Sequence, residues 1–488
     1  MTQAIPTSAA NTAPTPGAPV AVFSVAARLN RLPVLPAHRR ITAVIGLGLF
    51  FDLYEVFLAG VLSATLVRDF HVTAGRLPWI LSSAFLGAFL GACVLPLVAD
   101  RIGRRTAFLT TLALYSAASL AGAFSPTLLW LVIARFVAGI GIGAELPVAD
   151  TYLADLLPER VRGRFIAVAY TVAFCGVPVV GLLGRTLATS HLLGLEGWRW
   201  LLVAGSLGAV AVAFVRRALP ESPRWLEAVG RHDEAARITA ELEHQAARRG
   251  PLAPPRHDID PAPRLPIRAL LRRPLARNTA LMGAFQTLQT FGYYGFGSLA
   301  PLVLTAKGYS VVGSLGYTAA AYLGYPIGSL LSLPLIERVE RKWLITGSAL
   351  LMAALGLGYA LAASPVWLVL AGLAYTMVSN VFSNAFHVYQ TELFPTSVRA
   401  VATGSAYAMS RLSTAAMPFV LVPLLHNAGT AWVFTVSAAA MVTVALVIAA
   451  FGPATNARPL EGIATPADRP RPLHVSSRTP SATKENNP

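Results

Sequence analysis

The chain has 488 residues, of which 55% are hydrophobic and 13% are charged, with a mean hydropathy of +0.58 and a formal net charge of +16. This composition excludes an ordinary soluble domain and indicates a polytopic membrane protein. A nucleic-acid-binding surface would need a folded basic face with stacking aromatics. Here the Lys and Arg residues lie between apolar runs, so we interpret the charge as an orientation signal.

About twelve apolar runs have the roughly 20 residues that cross a bilayer core of about 30 Å. They are too long and too rich in Ala, Leu and Gly for barrel strands, which alternate over about ten residues. An all-α membrane protein is therefore predicted. The predicted spans lie near residues 41–67, 78–99, 106–124, 127–149, 165–188, 198–216, 277–305, 313–336, 343–362, 365–390, 400–426 and 430–451.

Basic clusters occupy alternate loops, among them DRIGRR, PERVRGR, the stretch from Arg216 to Arg277, and ERVERK. The positive-inside rule then places both termini and the long middle loop in the cytoplasm. The predicted segments are a cytoplasmic N-terminal segment (1–40), a six-helix bundle (41–216), a cytoplasmic linker with short amphipathic helices (217–276), a second six-helix bundle (277–451) and a disordered tail (452–488).

Several chemical functions lack their sequence motifs. No Gly-Lys-Ser/Thr phosphate loop, nucleophile elbow or paired-Cys metal motif occurs in the sequence, so ATP-driven transport, enzymatic chemistry, a cofactor and a metal site are not predicted. Residues 1–20 do not have the pattern of a cleaved signal peptide. Cys93 and Cys175 both fall within predicted spans, so we expect them to be packing residues without a disulfide.

Two loop motifs recur at one offset. DRIGRR begins at Asp100 and ERVERK at Glu337, an offset of 237 residues, and DLLPERVR at Asp155 recurs as ELFPTSVR at Glu392 with the same offset. Two independent motifs with one offset indicate a tandem duplication of a six-helix unit. In transporters, such halves enclose a binding site near the bilayer midplane.

Over essentially all its spans the chain resembles the major facilitator superfamily, in DRIGRR, RFVAGIGIGAELP, the acid-x-x-Pro-x-x-x-Arg loop of both halves, and PESPRWL, a signature of sugar porters and their relatives. FFDLYEVFLAG and YQTELFPTSVRAVATGSAYAMSR look most like bacterial transporters of nicotinate and other small organic or aromatic acids. Pro96 and Glu340 depart from the loop motif, and FQTLQTFGYYGF lacks the Gln pair and the Asn of sugar porters. The resemblance implies twelve helices in two pseudo-symmetric bundles, a bacterial inner membrane and a functional monomer.

The resemblance also implies a cytoplasmic charge network that holds one gating state, with topology and lipid anchoring as the alternative role. Gly139 and Gly143 of the fourth span are expected to allow close helix packing. Arg135 and Glu145 of the same span are ten residues apart, too far to pair directly. The predicted gating residues are Asp100, Arg101, Arg104, Arg105, Arg135, Glu145, Asp155, Arg162, Glu337, Arg341, Glu392 and Arg399.

Two carboxylates, Asp52 and Glu55, lie in the first span, where a charge costs roughly 2.5 to 3.5 kcal/mol on insertion scales. Their spacing places both on one helix face. Because neighbouring carboxylates in a dry setting resist simultaneous ionisation, at least one is expected to hold a proton. The pair also resembles the Asp-x-x-Asp of aromatic-acid proton symporters. The alternative is that one of them forms a static ion pair with an Arg of another helix.

Arg411 of the eleventh span offers a planar guanidinium that matches a substrate carboxylate. It is equally suited to neutralise Asp52 or Glu55 from the opposite half. The other predicted substrate-binding residues are amides and phenols of the seventh and tenth spans, with packing as their alternative role: Gln286, Gln289, Tyr293, Tyr294, Asn380 and Asn384.

These features predict a secondary transporter that works by rocking of two halves in the lipid bilayer. Its partners would be protons and a small organic acid, with aromatic acids inside that class. The alternatives are a sugar or polyol proton symporter, a drug exporter and, from a different class, a membrane sensor that does not transport.

Overall fold

The computed structural model describes residues 24–73, 75–255, 267–272, 275–394 and 396–455. In these ranges the chain forms helices and one two-stranded hairpin, which confirms the all-α prediction. The first half contains α2 (Pro36–Asp69), α3 (Leu77–Ile102), α4 (Arg104–Ala123), α5 (Leu128–Leu156), α6 (Glu159–Phe174), α7 (Gly176–Leu187), the hairpin β1 (His191–Leu192) and β2 (Leu195–Glu196), and α8 (Gly197–Arg216), preceded by α1 (Val25–Asn30).

The linker forms α9 (Pro223–Ala228), α10 (His232–Ala247) and a 3₁₀ helix at Ile267–Leu271. The second half contains α11 (Leu275–Ala306), α12 (Val311–Tyr322), α13 (Gly324–Arg338), α14 (Arg341–Leu361), α15 (Pro365–Glu392), α16 (Thr396–Ala428) and α17 (Thr430–Phe451).

Among the described residues, 11 helical segments are long and apolar enough to cross a membrane, with α6–α7 and α12–α13 each forming one interrupted span. The remaining long helix, α11, has 32 residues. Its central glutamines and tyrosines lower its hydropathy, because this helix carries polar groups at the centre of the protein. With α11, the structure has the twelve predicted spans.

The two halves meet along pairs of helices that the internal repeat relates to each other. α3 packs on α16, while α6 and α7 pack on α13 and α12. Under the 237-residue offset, α3 corresponds to α12 and α13, and α6 and α7 correspond to α16. The two contacts are therefore equivalent faces of a pseudo-symmetric dimer of halves, with α2 and α11 also in contact between them.

Inside the first half, α3 and α5 pack backbone against backbone through four glycines. A methyl group on Gly87 or Gly91 would overlap with a carbonyl oxygen of α5, and one on Gly139 or Gly143 would overlap with a carbonyl oxygen of α3. Small residues allow such close approach between membrane helices. The packing role predicted for Gly139 and Gly143 is therefore the one the structure gives them.

The loops at residues 100–105, 155–162, 337–342, 392–394 and 396–399 lie at one end of the molecule, which we call the basic end. Glu221 of the PESPRWL motif accepts hydrogen bonds from the backbone N–H groups of Arg104 and Arg105 at 2.9 and 3.1 Å. The Ser222 hydroxyl donates to Asp155 at 2.7 Å, and the Trp225 indole donates to the Asp100 carbonyl at 2.8 Å. The motif thus joins the loops of the first half.

α1 packs on the linker helices at this end. Val25, Leu29 and Leu32 form an apolar cluster with α9 and α10. The guanidiniums of Arg28 and Arg31 each lie 2.6 Å from the Glu243 carboxylate. Burial opposes ionisation of Glu243, yet the hydrogen bonds and charges of the two arginines together hold its pKa below the usual range.

Candidate functional site at the interface of the halves

Glu55 forms a buried ion pair inside the first half. Its Oε1 lies 2.5 Å from an Arg135 guanidinium nitrogen and accepts a second hydrogen bond from the Ser119 hydroxyl at 2.7 Å. A second nitrogen of Arg135 donates to the Glu55 backbone carbonyl at 3.0 Å. The side chains are 0% and 4% exposed, so this pair joins α2 to α5 in the interior of the half.

A second buried pair joins Glu145 to Arg216. The guanidinium of Arg216 binds the Glu145 carboxylate and lies 4.5 Å from the centre of the Phe108 ring. The Thr111 hydroxyl donates to the other carboxylate oxygen at 2.7 Å. As predicted, Arg135 and Glu145 are not partners of each other.

The placement of Arg216 in the basic loop after the sixth span is wrong, because its side chain is 1% exposed inside the half. The spacing of buried residues along α8 reveals that Arg216 faces inward. Gly205, Ala209 and Val212 precede Arg216 at intervals of four, three and four residues, and all are buried. Arg216 therefore continues the inward-facing stripe of α8.

Asp52 has no such partner. Its side chain is buried, and neither carboxylate oxygen has a hydrogen-bond partner among the residues that the structure describes. It lines a cavity of about 20 Å³ together with Arg411 and Tyr407, the other walls being apolar side chains of α2, α3 and α5. That volume holds about one water molecule.

Arg411 reaches the same cavity from the second half. Its guanidinium lies 4.4 Å from the centre of the Tyr407 ring and 5.1 Å from that of Tyr294. It is 5% exposed, and in the described part of the chain no carboxylate forms an ion pair with it. Two tyrosine faces thus hold a buried cation without neutralising it. Tyr407, four residues before Arg411, was not singled out from the sequence.

The predicted amides lie in the second half, where Gln286, Gln289 and Asn380 are buried and Asn384 is half-buried. Gln289 donates to the Ser410 hydroxyl at 3.1 Å and to Gln286 at 3.2 Å, and so contacts the residue before Arg411. Asn380 donates to the Tyr325 carbonyl at 2.5 Å and Asn384 to the Ser332 hydroxyl at 2.7 Å. These two contacts fix α15 to α13.

Tyr293 and Tyr294 of α11 pack edge to face, with ring centres 4.9 Å apart. Tyr293 is buried in the second half, whereas Tyr294 crosses the interface to the Phe85 ring at 5.5 Å. Of the two, Tyr294 is the one that contacts both Arg411 and the opposite half.

The described gating residues make contacts within their own halves. Asp100 and Arg104 form an ion pair at 2.5 Å, and Arg341 and Glu392 form one at 3.4 Å. Arg399 donates to the Phe394 carbonyl at 3.3 Å. Arg101 and Glu337 are exposed, while Arg105, Asp155 and Arg162 are half-buried. Their gating role stays a prediction.

Cys93 and Cys175 are free and exposed. The prediction that they are packing residues is wrong, because neither side chain is buried. Cys175 occupies the interruption between α6 and α7.

The halves contact each other directly at the end opposite the basic end. Trp79 contacts Phe419 there with ring centres 5.0 Å apart, and a methyl group on Gly60 would lie 2.8 Å from the carbonyl oxygen of Ser298. Toward the basic end, Thr171 and Ser329 bond across the interface at 2.9 Å, about 18 Å along α6 from its start. This arrangement corresponds to a state closed at the far end.

Comparison with known proteins agrees with this architecture. The chain is 31% identical to the niacin transporter NiaP of Acinetobacter baylyi, over 90% of this chain and 100% of the relative. It is 30% identical to the putative metabolite transport protein YyaJ of Bacillus subtilis, over 89% of this chain and 97% of the relative.

In structure it is similar to the xylose transporter XylE of E. coli in a partially occluded inward-open conformation, with a TM-score of 0.72, 21% identity, and coverage of 87% of this chain and 100% of the other. The family model described as "Sugar (and other) transporter" matches residues 52–466. The chain therefore belongs to the sugar (and other) transporter family and is a major facilitator superfamily membrane transporter.

Proposed function

We propose that this protein is a proton symporter for small organic acids, aromatic acids among them, in the bacterial inner membrane with its basic end in the cytoplasm. The observation that carries the proposal is the cavity shared by Asp52 and Arg411, which come from opposite halves. Each lacks a partner of opposite charge among the described residues. The niacin transporter among the relatives supports an aromatic acid as substrate.

The choice between Asp52 and Glu55 follows from the buried charges of the first half. Arg135 neutralises Glu55, and Arg216 neutralises Glu145. Of these three carboxylates, Asp52 is the one that forms no ion pair among the described residues. Because burial without a partner disfavours the charged form, Asp52 is the residue that takes up the proton, and Glu55 is a structural anion.

Substrate and proton binding are coupled through charge. In the empty site, the negative charge of Asp52 balances the positive charge of Arg411 across the cavity. A substrate carboxylate that binds Arg411 adds a second negative charge, and a proton on Asp52 then restores neutrality. Empty and loaded sites are therefore both neutral, and a monovalent acid crosses with one proton and no net charge.

Electroneutral coupling gives a direct test in proteoliposomes. An inward proton gradient of one pH unit, worth about 1.4 kcal/mol, should drive about tenfold accumulation of nicotinate or benzoate. A membrane potential imposed without a pH gradient should not. Accumulation driven by potential alone, or no dependence on pH, would contradict the proposal.

A sugar or polyol proton symporter is the second candidate. The stripe of Gln286, Gln289 and Tyr293 offers neutral hydrogen-bonding groups, and a D-xylose–proton symporter is among the similar structures. The same vesicles distinguish the two: this candidate predicts proton-driven uptake of pentoses or hexoses and no competition by organic acids.

A further inference from the structure

A third carboxylate of the first half lies outside the pairs described above. Asp150 of α5 accepts a hydrogen bond at Oδ2 from the Tyr170 hydroxyl of α6 at 3.1 Å. Its Oδ1 is inaccessible to solvent and has no hydrogen-bond partner within the described residues. A residue needed only to satisfy a tyrosine hydroxyl could be Asn or Ser, neither of which carries a charge that has to be buried.

The pair lies between the central cavity and the basic end. Asp52 is 16 residues into α2 from the basic end, about 24 Å along the helix, whereas Asp150 is six residues, about 9 Å, from the end of α5. A proton that moves from Asp52 to the basic end must pass the depth at which Asp150 lies.

Two tyrosines lie at the two ends of the path from the cavity to Asp150. Tyr407 lines the cavity with Asp52, and Tyr170 is hydrogen-bonded to Asp150. The Tyr170 ring also faces His387 across the interface, with ring centres 6.2 Å apart. Nδ1 of His387 lies 2.7 Å from the Ser383 carbonyl oxygen and so carries a proton as its donor.

We propose that Asp150 and Tyr170 form a proton relay that carries the proton from Asp52 toward the basic end, an inference that rests on the proposed symport. The O–H bond of the Asp52 carboxyl breaks, and its proton passes through a water in the cavity and the Tyr407 hydroxyl, and then through water between the two tyrosines, to the oxygen of Tyr170. Tyr170 gives its own proton to Oδ2 of Asp150. Both tyrosines end as neutral as they began, and one proton has moved between two carboxylates. Chains of such residues carry protons in membrane transporters.

The test compares two transport modes in proteoliposomes, with nicotinate as probe. Exchange of labelled for unlabelled substrate needs no net proton release, whereas uptake driven by a pH gradient does. Asp150→Asn and Tyr170→Phe should each slow gradient-driven uptake about tenfold or more and leave exchange within about twofold. Asp150→Glu should restore most of the uptake. Thr151→Val is the matched control, since within the described residues the Thr151 hydroxyl bonds only to the Pro147 carbonyl of its own helix.

Each outcome of these measurements either supports or overturns the relay. Wild-type uptake in Asp150→Asn, or an equal loss of uptake and exchange at an unchanged melting temperature, would overturn the relay. If Asp150→Asn does not fold, wild-type uptake in Tyr170→Phe would overturn it in the same way. A wild-type protein that transports the acid without any proton dependence would instead refute the proposed symport.

Discussion

Substituting the two carboxylates of the first span should separate the proton carrier from the structural anion. Asp52→Asn removes a buried charge that has no hydrogen-bond partner within the described residues, so it should lower the melting temperature less than Glu55→Gln does. Glu55→Gln removes the partner of Arg135, whose side chain is 4% exposed, and leaves a buried cation. Breaking such a pair from one side costs about 3 to 5 kcal/mol of the free energy of unfolding.

For transport, Asp52→Asn should have the larger effect and Glu55→Gln the smaller one. Asp52→Asn cannot bind the proton, so it should exchange substrate but lose accumulation driven by a pH gradient. Glu55→Gln should retain gradient-driven accumulation per folded molecule, and a second substitution, Arg135→Met, should recover much of its lost stability because no unpaired charge then remains.

The assays are thermal unfolding in detergent and uptake by proteoliposomes at matched protein content. Normal gradient-driven accumulation by Asp52→Asn would refute the assignment of the proton. A melting temperature for Asp52→Asn that falls as far as that of Glu55→Gln would refute the reasoning from charge pairing.

Three further predictions concern other parts of the chain. Arg411→Lys loses the planar fork that suits a carboxylate, so the KM for organic acids should rise about tenfold, equivalent to about 1.4 kcal/mol. Expression should be unchanged. An unchanged KM would exclude Arg411 from substrate binding. Gly60→Ala places a methyl group 2.8 Å from the Ser298 carbonyl oxygen of the other half, so it should destabilise the state closed at the far end and increase labelling of cysteines introduced there, and unaltered labelling would contradict this. Because the pKa of Glu243 is lowered in the folded protein, its bond to Arg28 stabilises the protein at pH values above the usual pKa of a glutamate, and this stability is lost as pH falls through the folded-state pKa. Hydrogen exchange of α1 should therefore accelerate at low pH in the wild type and already at pH 7 in Glu243→Gln. Equal protection of α1 in both proteins would contradict this prediction.

The sequence predicts the architecture well, because apolar length and the repeat offset are local properties of the chain. It also identifies the cavity charges, since Asp52 and Arg411 stand out in apolar spans. The sequence cannot show which buried charges form ion pairs, because Glu55 and Arg135 are 80 residues apart and only the packing of α2 on α5 joins them. Arg216 was misplaced because an Arg at a span boundary is typical of a loop.

Asp150 was missed for a related reason. In GAELPVADTYLADLLPERVR it stands near other polar residues at the end of a span, where a carboxylate costs little. The contact that distinguishes it comes from Tyr170, 20 residues later on another helix. Only the three-dimensional arrangement separates an interior carboxylate from one at the surface.

The separation of Asp52 and Arg411 onto different halves also bears on how the carrier avoids wasting the proton gradient. If a proton binds Asp52 while the site is empty, Arg411 is left as an uncompensated cation at a buried interface. Closing the halves around a lone charge in a low-dielectric medium is unfavourable, so the protonated but empty carrier should stall rather than return. In the proposed symporter, the same division of charge that admits the substrate would therefore suppress futile proton leakage and keep transport tightly coupled.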